Sequence, residues 1–292
     1  MYRNRTVTAI IPALDEEPSI AKVITELSQL TVCATCSGHS ELTQGFNKDN
    51  SGKISNKFLT DSTDGSNIVC CQHADQVALV DNIVVADNGS TDDTAAIATD
   101  HGAIVIKEVQ KGYGAACLAA LSVPLDRDIV VFVDGDHSVV CNELPALLEP
   151  LFSGADLVIG SRTIGECDSG ALSLPQMWGN RVASALIRLL WRARVTDLGP
   201  FRAITNDALG ELKMQDKQFG WTVEMQVRAL QLDKKIVEVP VTTRRRIGKS
   251  KIGGTVRGVI GASKGILGMI AKLYWQDLSG KLTDRASIQG GV

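Results

Sequence analysis

Aromatic residues are scarce in this chain, 4% of 292 residues, and no run of eighteen or more apolar residues occurs in it. The second absence excludes a bilayer-spanning helix at the level of sequence. The first, set beside 27 glycines and a hydrophobic content of 44%, suits an α/β protein whose Val- and Ile-rich strands are buried on both faces. Charge of one sign is also missing: 30 Lys and Arg against 33 Asp and Glu leave a net −3, and no nucleic-acid partner is indicated. The seven cysteines, at 33, 36, 70, 71, 117, 141 and 167, are odd in number and do not have the spacing of a secreted disulfide framework. Residues 1–5 lead straight into a strand-sized apolar run and carry no small-residue cleavage site. A cytoplasmic protein with reduced thiols is therefore expected.

The pattern that is present alternates strand and helix. Residues 7–11 read as a buried strand stopped by Pro12, and Ile20, Val23, Ile24, Leu27 and Leu30 follow at helical spacing. Further strands are expected at 83–86, 103–107, 129–133, 156–160 and 236–241, with helices at 91–101, 113–121, 143–152, 180–192 and 223–232. Such alternation implies parallel βαβ crossovers, hence a mostly parallel central sheet with helices on both faces.

One domain is expected over residues 1–275, interrupted at about 31–76 by a polar, aperiodic insertion and followed by a flexible tail at 276–292. Before the tail, Val256, Val259, Ile260, Ile266, Leu267, Ile270 and Leu273 form the apolar stripe of an amphipathic helix. That helix either lies in a membrane interface or packs on the domain's own core. Within the insertion, Cys33, Cys36, Cys70, Cys71, His39 and His73 offer enough zinc ligands, but only the first cysteine pair has knuckle spacing. Residues 47–58 imitate a calcium loop with Phe58 where a bidentate Glu belongs. Neither is read as a metal site, and the insertion is expected to be dispensable for catalysis.

Asp134-Gly135-Asp136 directly follows the most strand-like run of the chain, so both carboxylates leave the C-terminal edge where open sheets bind ligand. Two close carboxylates repel unless a cation joins them, and hard oxygen ligands favour Mg²⁺ or Mn²⁺ with substrate phosphates completing the shell. In a parallel sheet the ends of two other strands share that edge: 11–17, Ile-Pro-Ala-Leu-Asp-Glu-Glu, and 87–94, Asp-Asn-Gly-Ser-Thr-Asp-Asp-Thr. Acidic side chains gathered there can accept hydrogen bonds from a nucleobase and a ribose, although Asp92 and Asp93 also suit a helix cap. Of opposite sign, Arg244, Arg245, Arg246, Lys249 and Lys251 crowd into one stretch able to clamp a phosphate, since arginine forks engage it bidentately.

These two runs, with Lys111-Gly112-Tyr113-Gly114 and Asp134-Gly135-Asp136, resemble the ordered signatures of family 2 glycosyltransferases. Gly160-Ser161-Arg162, residues 197–202 (Asp-Leu-Gly-Pro-Phe-Arg) and 245–251 (Arg-Arg-Ile-Gly-Lys-Ser-Lys) are similar to the branch that makes dolichyl-phosphate mannose and glucose. The resemblance implies a single GT-A, Rossmann-like domain and a nucleotide-sugar donor. It implies donor contacts from Pro12, Leu14, Glu16, Asp87, Lys111, Gly112, Asp134, Gly135 and Asp136, with the metal on Asp134 and Asp136. Arg162, Arg202, Arg245 and Lys251 would meet the acceptor phosphate. Three departures stand out: Leu14 replaces a common aromatic, Asn88 a second Asp, and Ser138 a Gln that would be a third metal ligand.

The implied chemistry is inverting transfer of a hexose from UDP-glucose or GDP-mannose to a polyprenyl phosphate, with possible peripheral contact at the cytoplasmic face of a membrane. An anionic phosphate needs no general base; a hydroxyl acceptor would, and Asp197 and Glu224 are the candidates. The alternatives are a transferase with a soluble hydroxyl or phosphorylated acceptor and a sugar-phosphate nucleotidylyltransferase. The second would need a Gly-rich N-terminal grip on a nucleoside triphosphate, whereas 12–17 is acidic.

Overall fold

A computed structural model describes residues 1–33, 76–248 and 256–279. Its frame is a seven-stranded sheet in the order β5-β4-β1-β6-β8-β7-β9, formed by β1 (Val7–Ala13), β4 (Asn82–Asp87), β5 (Ile104–Lys107), β6 (Ile129–Phe132), β7 (Leu157–Ser161), β8 (Arg202–Thr205) and β9 (Ile236–Pro240). The four strands from β5 to β6 are parallel, and β9 is parallel to β7. Only β8 runs against its neighbours β6 and β7. This antiparallel strand was not expected from the hydrophobic pattern; its four residues include a buried arginine, Arg202, which interrupts the apolar run.

Alternation along β1 shows why the sheet needs cover on both sides. Val7, Ala9 and Ile11 face a core completed by α1 (Ile20–Gln29), Ala98 of α2 (Thr94–Asp100) and α4 (Leu144–Phe152). Ile10 faces the opposite core, with α3 (Tyr113–Leu121), α6 (Asn206–Leu212) and α7 (Trp221–Gln231). A third cluster joins α7 to α5 (Leu174–Trp191) and α8 (Val256–Leu278). Helix α5 begins six residues before the predicted start at 180 because Ser173 and Gln176 form a capping box with Pro175 in the first turn.

Helix α8 carries the predicted C-terminal stripe, of which Leu267 is exposed, like Trp275 and Leu278 beyond it, while the side chains of Val256, Val259 and Ile260 lie outside the described residues. Met269, Ile270 and Leu273 are buried and Ile266 partly buried against α5 and α7. At the insertion, β2 (Thr31–Cys33) pairs antiparallel with β3 (Gln76–Ala78). The zinc-like and calcium-loop-like segments fall almost wholly in 34–75, outside the described residues, as do Lys249, Lys251 and most of the tail.

Candidate active site

The parallel register sets Ala13 at the end of β1 beside Asp87 at the end of β4, so the loops leaving both strands meet. Asp15, at φ 49°, receives the Thr91 N–H at 2.7 Å and donates its own N–H to Ser90 Oγ. Thr94 Oγ1 accepts the Glu16 N–H at 2.8 Å, and Asp87 Oδ1 accepts the Ser90 N–H at 3.0 Å. Pro12, Leu14 and Glu16 stay partly exposed on this edge while Asp87 is buried.

Asn88 has a role the sequence did not disclose. Its side-chain amide donates to the carbonyls of Glu108 and Gln110, and its Oδ1 accepts the Gly112 N–H at 2.7 Å. A carboxylate there has nothing to donate, so Asn fits this brace better than the Asp expected from the family pattern. The braced loop delivers Lys111 to the edge, its ammonium lying over Gly89. Gly112, at φ 146°, and Gly114 have no alternative: a Cβ on either would lie 2.0 Å from the Lys217 carbonyl or 2.1 Å from that of Asp216.

Asp134 and Asp136 leave β6 on the same edge. Burial and, after it, the charge of Asp136 push the Asp134 carboxyl up to about 7, against the pull of Arg246 and a 3.2 Å hydrogen bond from Tyr113 Oη. Asp136 pairs with Arg246 at 2.8 Å. The residues beside this pair are pinned from behind: His137, at φ 61°, contacts Glu26 at 2.8 Å, and the same glutamate holds Arg244 at 2.9 Å. A divalent cation fits this pair, because two clustered carboxylates already draw a guanidinium as counter-charge. No set of three or more His, Cys, Asp and Glu able to hold a metal occurs among the described residues. Any cation here therefore depends on donor phosphate oxygens or water for the rest of its shell.

Facing Asp134 across a pocket of about 40 Å³ are Arg162 from the end of β7, Arg246, and Gln176 from the first turn of α5. Gly160 also lines it, and close passage of Val241 leaves that glycine no room for a side chain. The expectations for the basic side are corrected in several places. Arg202 is fully buried and donates to the carbonyls of Gly199 and Thr222, 3.0 Å to the latter, so it cannot meet an acceptor. Burial lowers its pKa to about 10. Arg245 is exposed beside Gly170 and is not part of the pocket lining. Its neighbour Arg246, from the same cationic stretch, takes the inner position; Tyr113 of the 111–114 signature reaches Asp134, and Gln176 is a further lining residue that no local pattern marked.

The two candidate bases are also reassigned. Asp197 is fully buried and makes a fork with Arg162, at 2.8 Å to Nε and 2.7 Å to Nη2, besides accepting the Arg162 N–H. Burial raises its pKa, but the Arg162 bonds and charge outweigh that and leave it lowered. Glu224 is likewise buried, pairing with Arg228 at 2.8 Å and accepting the N–H groups of Gln215 and Asp216. Both carboxylates are engaged with donors and hold the site's walls together. Neither is poised to take a proton from a substrate.

An open, mostly parallel sheet with an acidic ligand edge is the architecture of a nucleotide-binding α/β enzyme. The comparisons with known proteins narrow this. The model of Glycosyl transferase family 2 matches residues 72–212. An uncharacterized glycosyltransferase of Mycobacterium tuberculosis is 37% identical over 184 residues, spanning 61% of this chain and 80% of that protein. The undecaprenyl-phosphate mannosyltransferase of Micrococcus luteus is 30% identical over 217 residues, 69% of this chain and 87% of that one. Among solved structures, glucosyl-3-phosphoglycerate synthase from Mycobacterium tuberculosis with Mn²⁺, UDP-glucose and phosphoglyceric acid matches with a TM-score of 0.62. That match has 21% identity and covers 93% of this chain and 80% of the other, which speaks for the GT-A-like fold alone. The chain belongs to glycosyltransferase family 2.

Proposed function

We propose that the protein transfers a hexose, with inversion, from UDP-glucose or GDP-mannose to a polyprenyl phosphate at the cytoplasmic face of a membrane. The observation that carries the acceptor half is the state of the two carboxylates a hydroxyl acceptor would require: Asp197 and Glu224 are buried and held in arginine pairs. A phosphate needs no base, and Arg162 and Arg246 line the pocket opposite Asp134 to receive its charge. In the reaction, a phosphate oxygen of the acceptor attacks the anomeric carbon, the bond from that carbon to the donor β-phosphate oxygen breaks, and the nucleoside diphosphate leaves. Asp134 and Asp136 would hold Mg²⁺ or Mn²⁺, which supplies charge stabilisation on the departing diphosphate.

The chain's own residues do the remaining work. Asn88 and Gly112 fix the Lys111 loop, Tyr113 orients Asp134, and Asp197 aims the Arg162 fork. The names of relatives support the reading, since the similar proteins include the mannosyltransferase above and a dolichyl-phosphate hexose transferase of Haloferax volcanii. The test is a transfer screen of UDP- and GDP-sugars against a short-chain polyprenyl phosphate, phosphoglycerate and free sugars. Preference for the polyprenyl phosphate, lost in Arg162→Ala and Arg246→Ala, is the expected result. Preference for a soluble acceptor removes the lipid from the reading and leaves the donor site standing.

A further inference from the structure

We infer that helix α5 is a lipid-docking surface that brings the mouth of the pocket to an anionic membrane. The helix buries only one side: Ala183, Ser184 and Ile187 face the cluster shared with α7 and α8. On the other side Leu174, Trp178, Val182 and Leu189 are 71%, 64%, 46% and 74% exposed. At 100° per residue these four, with exposed Ala185 among them, fall within one quarter of the helix circumference, so they form a single stripe. Large apolar side chains scattered singly over a surface are ordinary, but a contiguous stripe that includes a tryptophan calls for a partner.

Charge decides what that partner is. Exposed Arg181 and Arg188 lie along one flank of the stripe, exposed Arg192 caps the helix after it, and residues 171–195 contain no carboxylate, in a chain whose net charge is −3. An apolar stripe with a tryptophan and a one-sided arginine border has the make-up of a helix lying in the plane of a bilayer interface, its cations in the headgroup layer. No helix among the described residues is long and apolar enough to cross a membrane, so attachment through α5 is peripheral. The placement suits a lipid acceptor: Ala171, Leu172 and Gln176, at the start of the helix, line the same pocket as Asp134, Arg162 and Arg246. Helix α8 buries Met269, Ile270 and Leu273 in the protein's own core and leaves Leu267, Trp275 and Leu278 exposed; α5 is the helix whose exposed stripe adjoins the pocket, since Gln176 lines it and no described α8 residue does. The purpose of the surface rests on the polyprenyl-phosphate reading, while its existence does not.

The experiment is co-sedimentation of the full-length protein with vesicles of phosphatidylglycerol and phosphatidylcholine, against phosphatidylcholine alone, over a salt series. The parent is expected to bind the anionic vesicles and to be released by salt. Trp178→Glu with Leu189→Glu, both at exposed positions, lowers binding at least tenfold, on the order expected for replacing two buried apolar anchors by charge. Arg181→Gln with Arg188→Gln lowers anionic binding by roughly fivefold per arginine and leaves the neutral vesicles unaffected. Both variants retain transfer to a water-soluble short-chain polyprenyl phosphate. Vesicle binding by the parent with no transfer to any polyprenyl phosphate sinks the acceptor reading and sustains the docking surface. A parent that ignores anionic vesicles overturns the docking surface, as do variants that bind like the parent. So does a parent dimer that Trp178→Glu with Leu189→Glu turns into monomers, since the stripe would then be a self-contact.

Discussion

On the acidic edge, Asp87, Asp134 and Asp136 are set by the ends of parallel strands, and each stands one to three residues past an apolar run that dictates its position. On the basic side, Arg202 opens the one antiparallel strand of the main sheet, and Arg162, Asp197, Arg202 and Glu224 each take their role from specific partners. Arg162 is aimed by a carboxylate 35 positions away, whereas Glu224 holds Arg228 one turn along its own helix and two N–H groups from the loop before it. Asp134 and Asp136 repel one another, with Arg246 their nearest counter-charge, whereas Asp197 and Glu224 are neutralised in arginine pairs and Arg202 is held by backbone carbonyls. A cleft built this way separates ligand-binding charge from structural charge. The two kinds are told apart by what happens when one member is removed.

The largest effect is expected from Asp136→Asn, because on the proposed reading it removes a carboxylate that would hold the metal ion. Turnover falls on the order of 10²- to 10³-fold, the usual magnitude when a stabiliser of the leaving-group charge is lost. A metal titration of turnover and a calorimetric titration with Mn²⁺ check it, and unchanged metal dependence would remove the pair from the site. Glu224→Ala should divide the other way. It leaves Arg228 unpaired and two backbone donors unsatisfied, and costs about 3–5 kcal/mol in urea unfolding. Turnover per folded molecule stays near that of the parent. A stable Glu224→Ala protein with no turnover would restore Glu224 as a base.

Arg246 stands on the boundary between the halves, lining the basic pocket while pairing with Asp136. As the counter-charge of Asp136 it competes with a metal ion. Arg246→Gln is therefore expected to tighten Mn²⁺ binding by about tenfold, in line with the 1.5–3 kcal/mol of a charge-assisted hydrogen bond reduced for partial exposure. The same change raises the KM for a phosphate acceptor. Calorimetry without donor or acceptor reads the first effect separately from activity. Weaker metal binding in the variant would show that Arg246 supports the cation site instead of competing with it.

The contrast also accounts for what was readable in advance. The strands β1, β4, β6 and β9, the helix α3 and the acidic edge follow from local order: an apolar run, then a carboxylate, then a turn. Strand β8 and the fates of Asp197, Arg202 and Glu224 do not, since an arginine or glutamate destined for burial looks like a functional charge until its partner is known. Within the cationic stretch the same ambiguity holds at short range between Arg245 and Arg246. Two adjacent arginines in an extended segment point to opposite sides, and only the contact with Asp136 says which side is inward. Asn88 differed in kind, its donor and acceptor geometry becoming meaningful only once residues 108–112 folded back over it.

The smallest expected effect concerns protons at the acidic edge. The Asp134 carboxyl is raised to about 7, by burial first and the Asp136 charge second, against an ordinary value near 3.9 in the unfolded chain. Between about pH 4 and 7 the folded state thus binds more protons than the unfolded one, and stability falls as pH rises. The contribution is fully present below the unfolded value and lost as pH passes the folded one. Asp197, lowered instead, contributes above its ordinary value and loses that contribution only on acidification, so it adds no slope in this window. Melting temperatures in chelator from pH 4.5 to 7.5 should therefore decline in the parent relative to Asp134→Asn. Saturating Mn²⁺ should flatten that decline, because a cation displaces the proton more readily as pH rises. If the parent and Asp134→Asn track each other across the series in chelator, the two carboxylates are not in electrostatic conflict, and the case for a cation between them loses its physical basis.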